Sequence, residues 1–348
     1  MKGVVFSSIG AEPQVVDNLP IPNPSDGQVL VKSLWTAINP VDAYSATTGL
    51  LVVKWPLTLG VDASGVITKT GPKVPAYLSV GTHVFGCTRL GSPSYGTAAE
   101  YFLIDAKVAF AVTAKMKERG IGGAEASTLG VSVLTAALGI FDGLKIPIST
   151  VEQLEPKDEW VLILGGASSV GKSAISLARA AGFKVIASCS PGSSATVEKL
   201  GSEWFSYKDP LEDQVAAVSS KTGGKLFKIF DAVASDDPLL AKEIFRQAGG
   251  QEKLFATTND WSGITHFEGG KTTCIEFGPV GRPDATDLNK MIEEYIPVLT
   301  KLIEDGKVLP SEYEAIGEGG FESAAEAYKY QQSGKGGNKK VVVKIQDA

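Results

Sequence analysis

The densest chemical signal in the chain is Gly165-Gly166-Ala167-Ser168-Ser169-Val170-Gly171-Lys172-Ser173, directly after the apolar run Trp160–Leu164. An apolar run, a Gly/Ser loop and a helical pattern in that order predict a strand, a tight turn and a helix N-terminus. The unpaired N–H groups and the positive dipole end of such a terminus hold phosphate. Two motifs overlap in this stretch. Gly166 to Gly171 is a dinucleotide-binding loop with Ser168 in place of its middle glycine. Gly166 to Ser173 also satisfies G-x-x-x-x-G-K-[ST], in which Lys172 would reach β- and γ-phosphates and Ser173 would hold Mg²⁺. Asp231, after Ile229-Phe230, could supply a further Mg²⁺ acid. The first motif predicts a redox enzyme and the second a nucleotide hydrolase.

The surroundings favour the dinucleotide. A second strand pattern, Lys184–Ser188, ends in Cys189-Ser190-Pro191 without the acid that accepts the ribose 2′-OH in NAD-binding folds. The first acid is Glu198. A neutral Ser190 admits a 2′-phosphate, with Lys208 as a nearby cation, so the pattern predicts NADPH over NADH. A P-loop usually sits on the first strand of its domain, whereas this loop follows a long β-rich region. Lys172 then reads as a solvated residue in the first turn of a helix and as dispensable.

Elements of two kinds must position these residues. Residues 1–127 read as short strands (Val4–Phe6, Val29–Leu34, Ser64–Thr68, His83–Gly86, Ala99–Ile104) between Pro- and Gly-rich turns. Leu129–Phe141 is apolar with helical spacing. Strands at Trp160–Leu164, Lys184–Ser188, Trp204–Tyr207, Leu226–Val233, Lys253–Thr258 and Thr272–Phe277 then alternate, as far as the fifth, with helices at Lys172–Ala181, Ser194–Leu200, Leu211–Ser220 and Pro238–Ala248. That alternation predicts a doubly wound parallel sheet. Helices at Asp287–Glu304 and Phe321–Gln332 and a strand at Lys339–Ile345 complete the chain.

The 348 residues, 43% hydrophobic and 21% charged, suit about two globular domains. The net charge of −6, without a basic cluster carrying aromatics, argues against nucleic acid. No secretory leader and no membrane-spanning apolar run are seen, so a cytoplasmic enzyme is expected. Cys87, Cys189 and Cys274 lie far apart, so a four-cysteine zinc site is impossible and all three read as buried thiols in a reducing compartment. The two histidines, His83 and His266, have no ligand spacing.

Further segments carry a family resemblance: Ile38-Asn39-Pro40-Val41-Asp42, Leu59-Gly60-Val61-Asp62-Ala63-Ser64-Gly65, Val80-Gly81-Thr82-His83-Val84-Phe85-Gly86 and Ala99-Glu100-Tyr101. With Leu129, Thr135-Ala136, Gly165-Gly166-Ala167, Ser188-Cys189-Ser190-Pro191, Phe205-Ser206-Tyr207 and Ser333-Gly334-Lys335, their order and spacing resemble the medium-chain dehydrogenase/reductase superfamily along nearly the whole chain. The nearest likeness is to its zinc-free quinone oxidoreductase and fungal trans-acting enoyl reductase (ToxD-like) branch. The resemblance makes the P-loop match a coincidence.

It implies an α/β protein: a GroES-like β-rich catalytic domain (1–127), a Rossmann NADPH-binding domain (128–283) and a return segment completing the first (284–348). NADPH would lie in the cleft of the two. Zinc-dependent members carry Gly-His-Glu where Gly60-Val61-Asp62 stands, so no metal is expected. Carried over by position, Gly166, Ala167, Ser168, Ser169 and Val170 would hold the pyrophosphate, and Ser190 and Tyr207 the 2′-phosphate. Val233 and Ala234 would line the ribose, and Asp42, Asn338 and Lys340 would complete the cofactor site. Asn39, Tyr44 and Thr135 would serve catalysis, Thr135 near the nicotinamide. Some relatives place a proton-donating Tyr where Leu50 stands; Leu50, Leu51, Trp55 and Phe277 suggest an apolar substrate wall. The implied reaction is hydride transfer to a C=C conjugated with a carbonyl, on a small or acyl-carrier-bound apolar substrate. Aldehyde or quinone reduction, and a non-catalytic NADPH-binding role, are the alternatives. Relatives occur as monomers or as homodimers paired through the last Rossmann strand.

Overall fold

The computed structural model describes residues 1–153, 155–249, 252–261 and 270–348, which form two units. The first takes residues 1–131, 277–306 and 310–348, and the second takes 132–276 with 307–309. Both boundaries differ from those expected from the sequence, by four to seven residues. Val131 stays with the first unit because its N–H donates to the Asp62 carboxylate at 2.7 Å. Residues 277–283 join it because Arg282 donates to the carbonyls of Leu51 and Leu90.

Up to residue 131 the elements are β1 (Gly3–Val5), β2 (Gln14–Val16), β3 (Gln28–Ile38), α1 (Pro40–Thr48), β4 (Asp62–Thr70), β5 (His83–Cys87), β6 (Tyr101–Asp105), β7 (Ala109–Ala111), α2 (Ala114–Glu118) and α3 (Gly123–Ser127). Strand β3, rich in β-branched and aromatic residues, is the longest and pairs antiparallel with both β4 and β6. Helix α1 was not expected. Pro40 at its first position and Asn39 before it are start signals that a nine-residue helix without an apolar stripe leaves faint.

Helix α4 (Gly130–Ala137) passes into a π-helical turn, Leu138–Gly143, where an unbroken helix to Phe141 was expected. Two glycines lie on that turn. A Cβ on Gly139 would fall 2.4 Å from the Phe230 ring and one on Gly143 2.5 Å from Ala256, so the widened turn lays bare backbone on the sheet. After α5 (Thr150–Gln153) come β8 (Trp160–Leu164), α6 (Ser169–Ala180), β9 (Lys184–Cys189), α7 (Ser194–Lys199), β10 (Glu203–Ser206), α8 (Leu211–Thr222), β11 (Leu226–Asp231), α9 (Leu239–Gln247), β12 (Lys253–Thr257) and β13 (Gly270–Cys274). Among the described residues these six strands form a parallel sheet in the order β10-β9-β8-β11-β12-β13. That is the doubly wound order with its switch point at β8 and β11. Leu162, Ile186, Phe205, Ile229, Phe245 and Phe255 fill one face. Strand β13 lies a few residues earlier than the Thr272–Phe277 expected.

The return segment adds α10 (Thr286–Glu304), β14 (Tyr313–Ala315), α11 (Gly320–Gln332) and β15 (Lys340–Lys344). Strand β15 pairs antiparallel with β3, so the seven-stranded sheet runs β14-β15-β3-β4-β5-β7 with β6 also on β3. Helix α11 drops Tyr328 onto Phe6, ring edge to face at 5.1 Å, in a core shared with Leu57, Leu59, Val341 and Val343.

Candidate functional site

In the second unit, parallel pairing carries the ends of β8, β9, β10 and β11 to one edge of the sheet. Gly166–Val170 follow β8, Ser190 follows β9, Tyr207 follows β10, and Val233 and Ala234 follow β11. The structure therefore gathers these sequence-predicted residues on a single edge. Gly165 makes the turn with φ +78, and a Cβ there would meet Val233 Cγ1 at 2.1 Å. A Cβ on Gly171 would meet the Gly165 carbonyl oxygen at 2.1 Å, so α6 starts as close to β8 as a backbone allows. Gly165 N–H donates to Ser188 Oγ at 2.9 Å and Gly166 N–H to the Ser188 carbonyl at 2.8 Å.

Ser168 caps α6: its Oγ accepts the Gly171 N–H at 3.0 Å. That leaves the first-turn N–H groups of Ser169 and Val170 without partners one turn back, as phosphate binding requires. At the end of β9, Ser190 Oγ lies 3.1 Å from Ser193 Oγ. Tyr207, more than half exposed, sits beside it because Ser206 pairs with Cys189.

Two of the sequence readings change here. Lys172 was expected in solvent and is 8% exposed, taken into the helix–sheet packing. Asp231, the candidate Mg²⁺ acid, is fully buried and spent on its own turn. It accepts from the N–H groups of Val233 (3.1 Å) and Ser235 (2.7 Å) and from the hydroxyls of Ser235 (3.2 Å) and Thr257 (3.0 Å). Burial raises its proton affinity and the two N–H donors oppose that. The result is a rigid Val233-Ala234 corner, with Ala234 at φ +53.

In the first unit, register assembles a buried ionic cluster. Asn39 follows Ile38, which faces Val341 across β3 and β15, and Asp62 faces Ala37 across β3 and β4. Lys340 is thereby brought against Asn39 and Asp62. Its Nζ donates to the Asn39 amide oxygen and, at 2.9 Å, to Asp62 Oδ2. Asn39 Nδ2 donates to the same carboxylate oxygen at 3.2 Å, and the Val131 N–H takes Asp62 Oδ1. Asp62 is 0% and Lys340 5% exposed. Asp42 Oδ2 accepts the Asn39 N–H at 2.8 Å, closing the start of α1. Burial pushes the Asp42 carboxyl up to about 7; the Asn39 N–H and Lys340 oppose that and Asp62 adds to it. The Tyr328 hydroxyl, buried nearby without a hydrogen-bond partner, is held well above the ordinary phenol range by burial and by Asp42.

Asn39, Asp42 and Lys340, expected at the reacting atoms or the cofactor, are thus brought together in one hydrogen-bonded cluster with Asp62. Asp62 enters the sequence reading as the last residue of Gly60-Val61-Asp62, where Val61 takes the place of His. A carboxylate opening an apolar strand, and a lysine preceding Val341-Val342-Val343, were the signals for the pair.

The remaining predicted residues differ in exposure. Tyr44 on α1 is 57% exposed, Thr135 on α4 is buried, and Asn338 is half-buried in the turn before β15. Leu50 is largely exposed, whereas Trp55 packs with Val52 against the core beneath α11. Leu51 has φ +62, a left-handed conformation that costs a residue other than glycine roughly 1–3 kcal/mol. Phe277 opens the segment that leads to Arg282. His266 lies outside the described residues. Among the described residues the His83 Nε2 is buried without a partner, and burial, followed by Lys117, lowers its proton affinity. Among the described residues no cluster of three or more His, Cys, Asp or Glu could hold a metal, and no helix is long and apolar enough to cross a membrane.

Comparison with known proteins agrees with this architecture. The family model for the alcohol dehydrogenase GroES-like domain matches residues 25–114. The dehydrogenase orsE of Emericella nidulans is 32% identical over 236 residues, 64% of this chain and 68% of that protein. The trans-enoyl reductase traG of Penicillium crustosum is 32% identical over 251 residues, 68% of this chain; the match spans 65% of that protein, just under two thirds of its length. A solved alcohol dehydrogenase superfamily protein from Novosphingobium aromaticivorans superposes with a TM-score of 0.79 at 22% identity, covering 99% of this chain and 100% of that one. The chain belongs to the medium-chain dehydrogenase/reductase superfamily of oxidoreductases. That fold implies a nicotinamide cofactor, and the tight Gly165–Gly171 cradle at the switch point fits one.

Proposed function

We propose that this chain is an NADPH-dependent reductase of C=C bonds conjugated with a carbonyl, working without a metal on small or carrier-bound apolar substrates. The observation that carries the coenzyme is the end of β9. Ser190 and Tyr207 stand there with Lys208 next in the chain, and no carboxylate follows the strand to claim a ribose 2′-OH. The acceptor class is supported by the trans-enoyl reductase of Penicillium crustosum. The metal-free reading is supported by Val61, buried where zinc-dependent members carry His.

NADPH, when bound, supplies the hydride. The first turn of α6 would hold its pyrophosphate, Ser190 and Tyr207 its 2′-phosphate, and Val233, Ala234 and Asn338 would frame the rest. Thr135, buried on α4, would donate a hydrogen bond near the nicotinamide. Hydride addition at the β-carbon leaves charge on the carbonyl oxygen, so donors aimed at that oxygen lower the barrier. The α-carbon then takes a proton from solvent, directly or over the exposed Tyr44 hydroxyl. Leu50 and Leu51 would form the apolar wall.

The test is a turnover screen of enones, enoyl thioesters, quinones and aldehydes with NADPH and NADH. Enones or enoyl thioesters with NADPH should be the preferred pair. Preference for aldehydes or quinones would move the acceptor class, and NADPH binding without any turnover would make the protein a binder only. Ser190→Asp should shift the preference toward NADH by at least about tenfold, since an acid there accepts a 2′-OH and repels a 2′-phosphate; an unchanged preference would remove Ser190 from the site.

A further inference from the structure

Leu51 is held in its left-handed conformation from three stretches of the chain. Its own turn contributes the Val52 N–H, which donates to the Gly49 carbonyl at 3.1 Å, and the next residue, Val53, donates to the Gly91 carbonyl at 2.9 Å. Gly91 approaches so closely that a Cβ there would lie 2.1 Å from the Leu51 carbonyl oxygen. From residues 277–283, a Cβ on Gly278 would lie 2.9 Å from the tip of the Leu51 side chain. In the same segment Arg282 Nη2 donates to the carbonyls of Leu51 at 3.3 Å and Leu90 at 3.1 Å. Arg282 is itself fixed. Its carbonyl accepts from Asn289 Nδ2 at 2.7 Å, and the preceding Gly281 N–H donates to Asn289 Oδ1 at 2.8 Å.

The guanidinium bears a cost in this place. Among the described residues its Nε is buried without an acceptor, and a buried donor left unpaired opposes folding. A strained apolar residue with a cation bridging two carbonyls beside it marks a fixed surface, because strain persists only where its surroundings over-determine it.

We infer that Arg282 is a positioning residue for acceptor selectivity: by tying the Leu51 and Leu90 carbonyls together it holds the Leu51 side chain as a rigid steric limit on the substituent next to the reacting double bond. This rests on the reading of Leu50 and Leu51 as the acceptor wall. Released from Arg282, Leu51 can relax to an ordinary backbone conformation, and its side chain then leaves the position it now holds.

The test compares wild type, Arg282→Ala and Arg282→Lys on enones of increasing β-substituent size with NADPH, together with hydrogen exchange of residues 49–54. In Arg282→Ala, exchange at Val52 and Val53 should rise at least tenfold. The kcat/KM ratio of smallest to bulkiest enone should fall at least fivefold, through KM more than kcat. Arg282→Lys, which keeps a cation for the two carbonyls, should recover most of both. Unchanged exchange would overturn the inference, and so would faster exchange with a parallel drop across all enones, since that is a structural role only. The proposed activity fails differently: wild type would then reduce no enone at all, whatever the exchange shows, and the selectivity role would fall with it.

Discussion

Lys340 shows how little freedom a single buried charge has. Its ammonium is shared by Asn39 and the Asp62 carboxylate inside a β-sheet core, where the opposite charge of Asp62 offsets part of the water it has lost. Removing one member of such a pair is costlier than removing both. Lys340→Met should lower the unfolding free energy by about 3–5 kcal/mol, read from the urea midpoint, and adding Asp62→Leu should recover part of that. Asp42 gives a second prediction, in pH. Its carboxyl is raised to about 7 in the fold against 3.8 without it, so the fold binds this proton more tightly than the unfolded chain does. The associated stability is complete below about pH 4 and is lost as pH rises to about 7. Asp42→Asn should therefore gain stability relative to wild type across that window, each tenfold displacement of the proton equilibrium being worth about 1.4 kcal/mol. Parallel pH profiles for the two proteins would show that Asp42 ionises freely.

At the scale of elements, the turn from β8 into α6 joins backbone conformation to ligand chemistry. Gly171→Ala would force its Cβ against the Gly165 carbonyl, and only movement of the α6 start can relieve that. NADPH binding, followed by tryptophan fluorescence, should weaken at least tenfold, while Lys172→Ala should leave it within about a factor of two, since Lys172 is buried in the packing of α6. This turn was legible in the sequence because its glycines report close approaches within a few residues. The parallel sheet was legible for a related reason, strands and helices alternating at regular length. Helix α1 was not, being short and lacking an apolar stripe, and neither was the π-turn at Leu138–Gly143, which arises where two glycines meet Phe230 and Ala256. The Asn39–Asp62–Lys340 cluster and the Arg282 contacts to Leu51 and Leu90 were also hidden. Lys340 stands 301 and 278 residues from its two partners and Arg282 stands 231 and 192 from its own, and only strand register or a returning segment brings them together.

On the scale of the whole molecule, the two units are built from the chain in different ways. The second is nearly one continuous segment, 132–276, whereas the first is closed by residues from the far end. Ending the chain after Gln332 removes β15, exposes the flank of β3 that β15 covers, and strips Lys340 from Asp62. Such a protein should lose the cooperative unfolding of the first unit in urea, while the second keeps a cooperative transition of its own; loss of both would mean that the second unit also needs β15. The position of β15 beside β3 also sets a timetable for synthesis. All six strands of the parallel sheet have been made once residue 274 is added, so that unit can fold while the ribosome is still working. Strand β3 finds β4 and β6 early, but its Trp35–Ile38 stretch has to wait for β15, made about three hundred residues later. Until then that stretch is an open strand edge, the kind of surface on which chains associate.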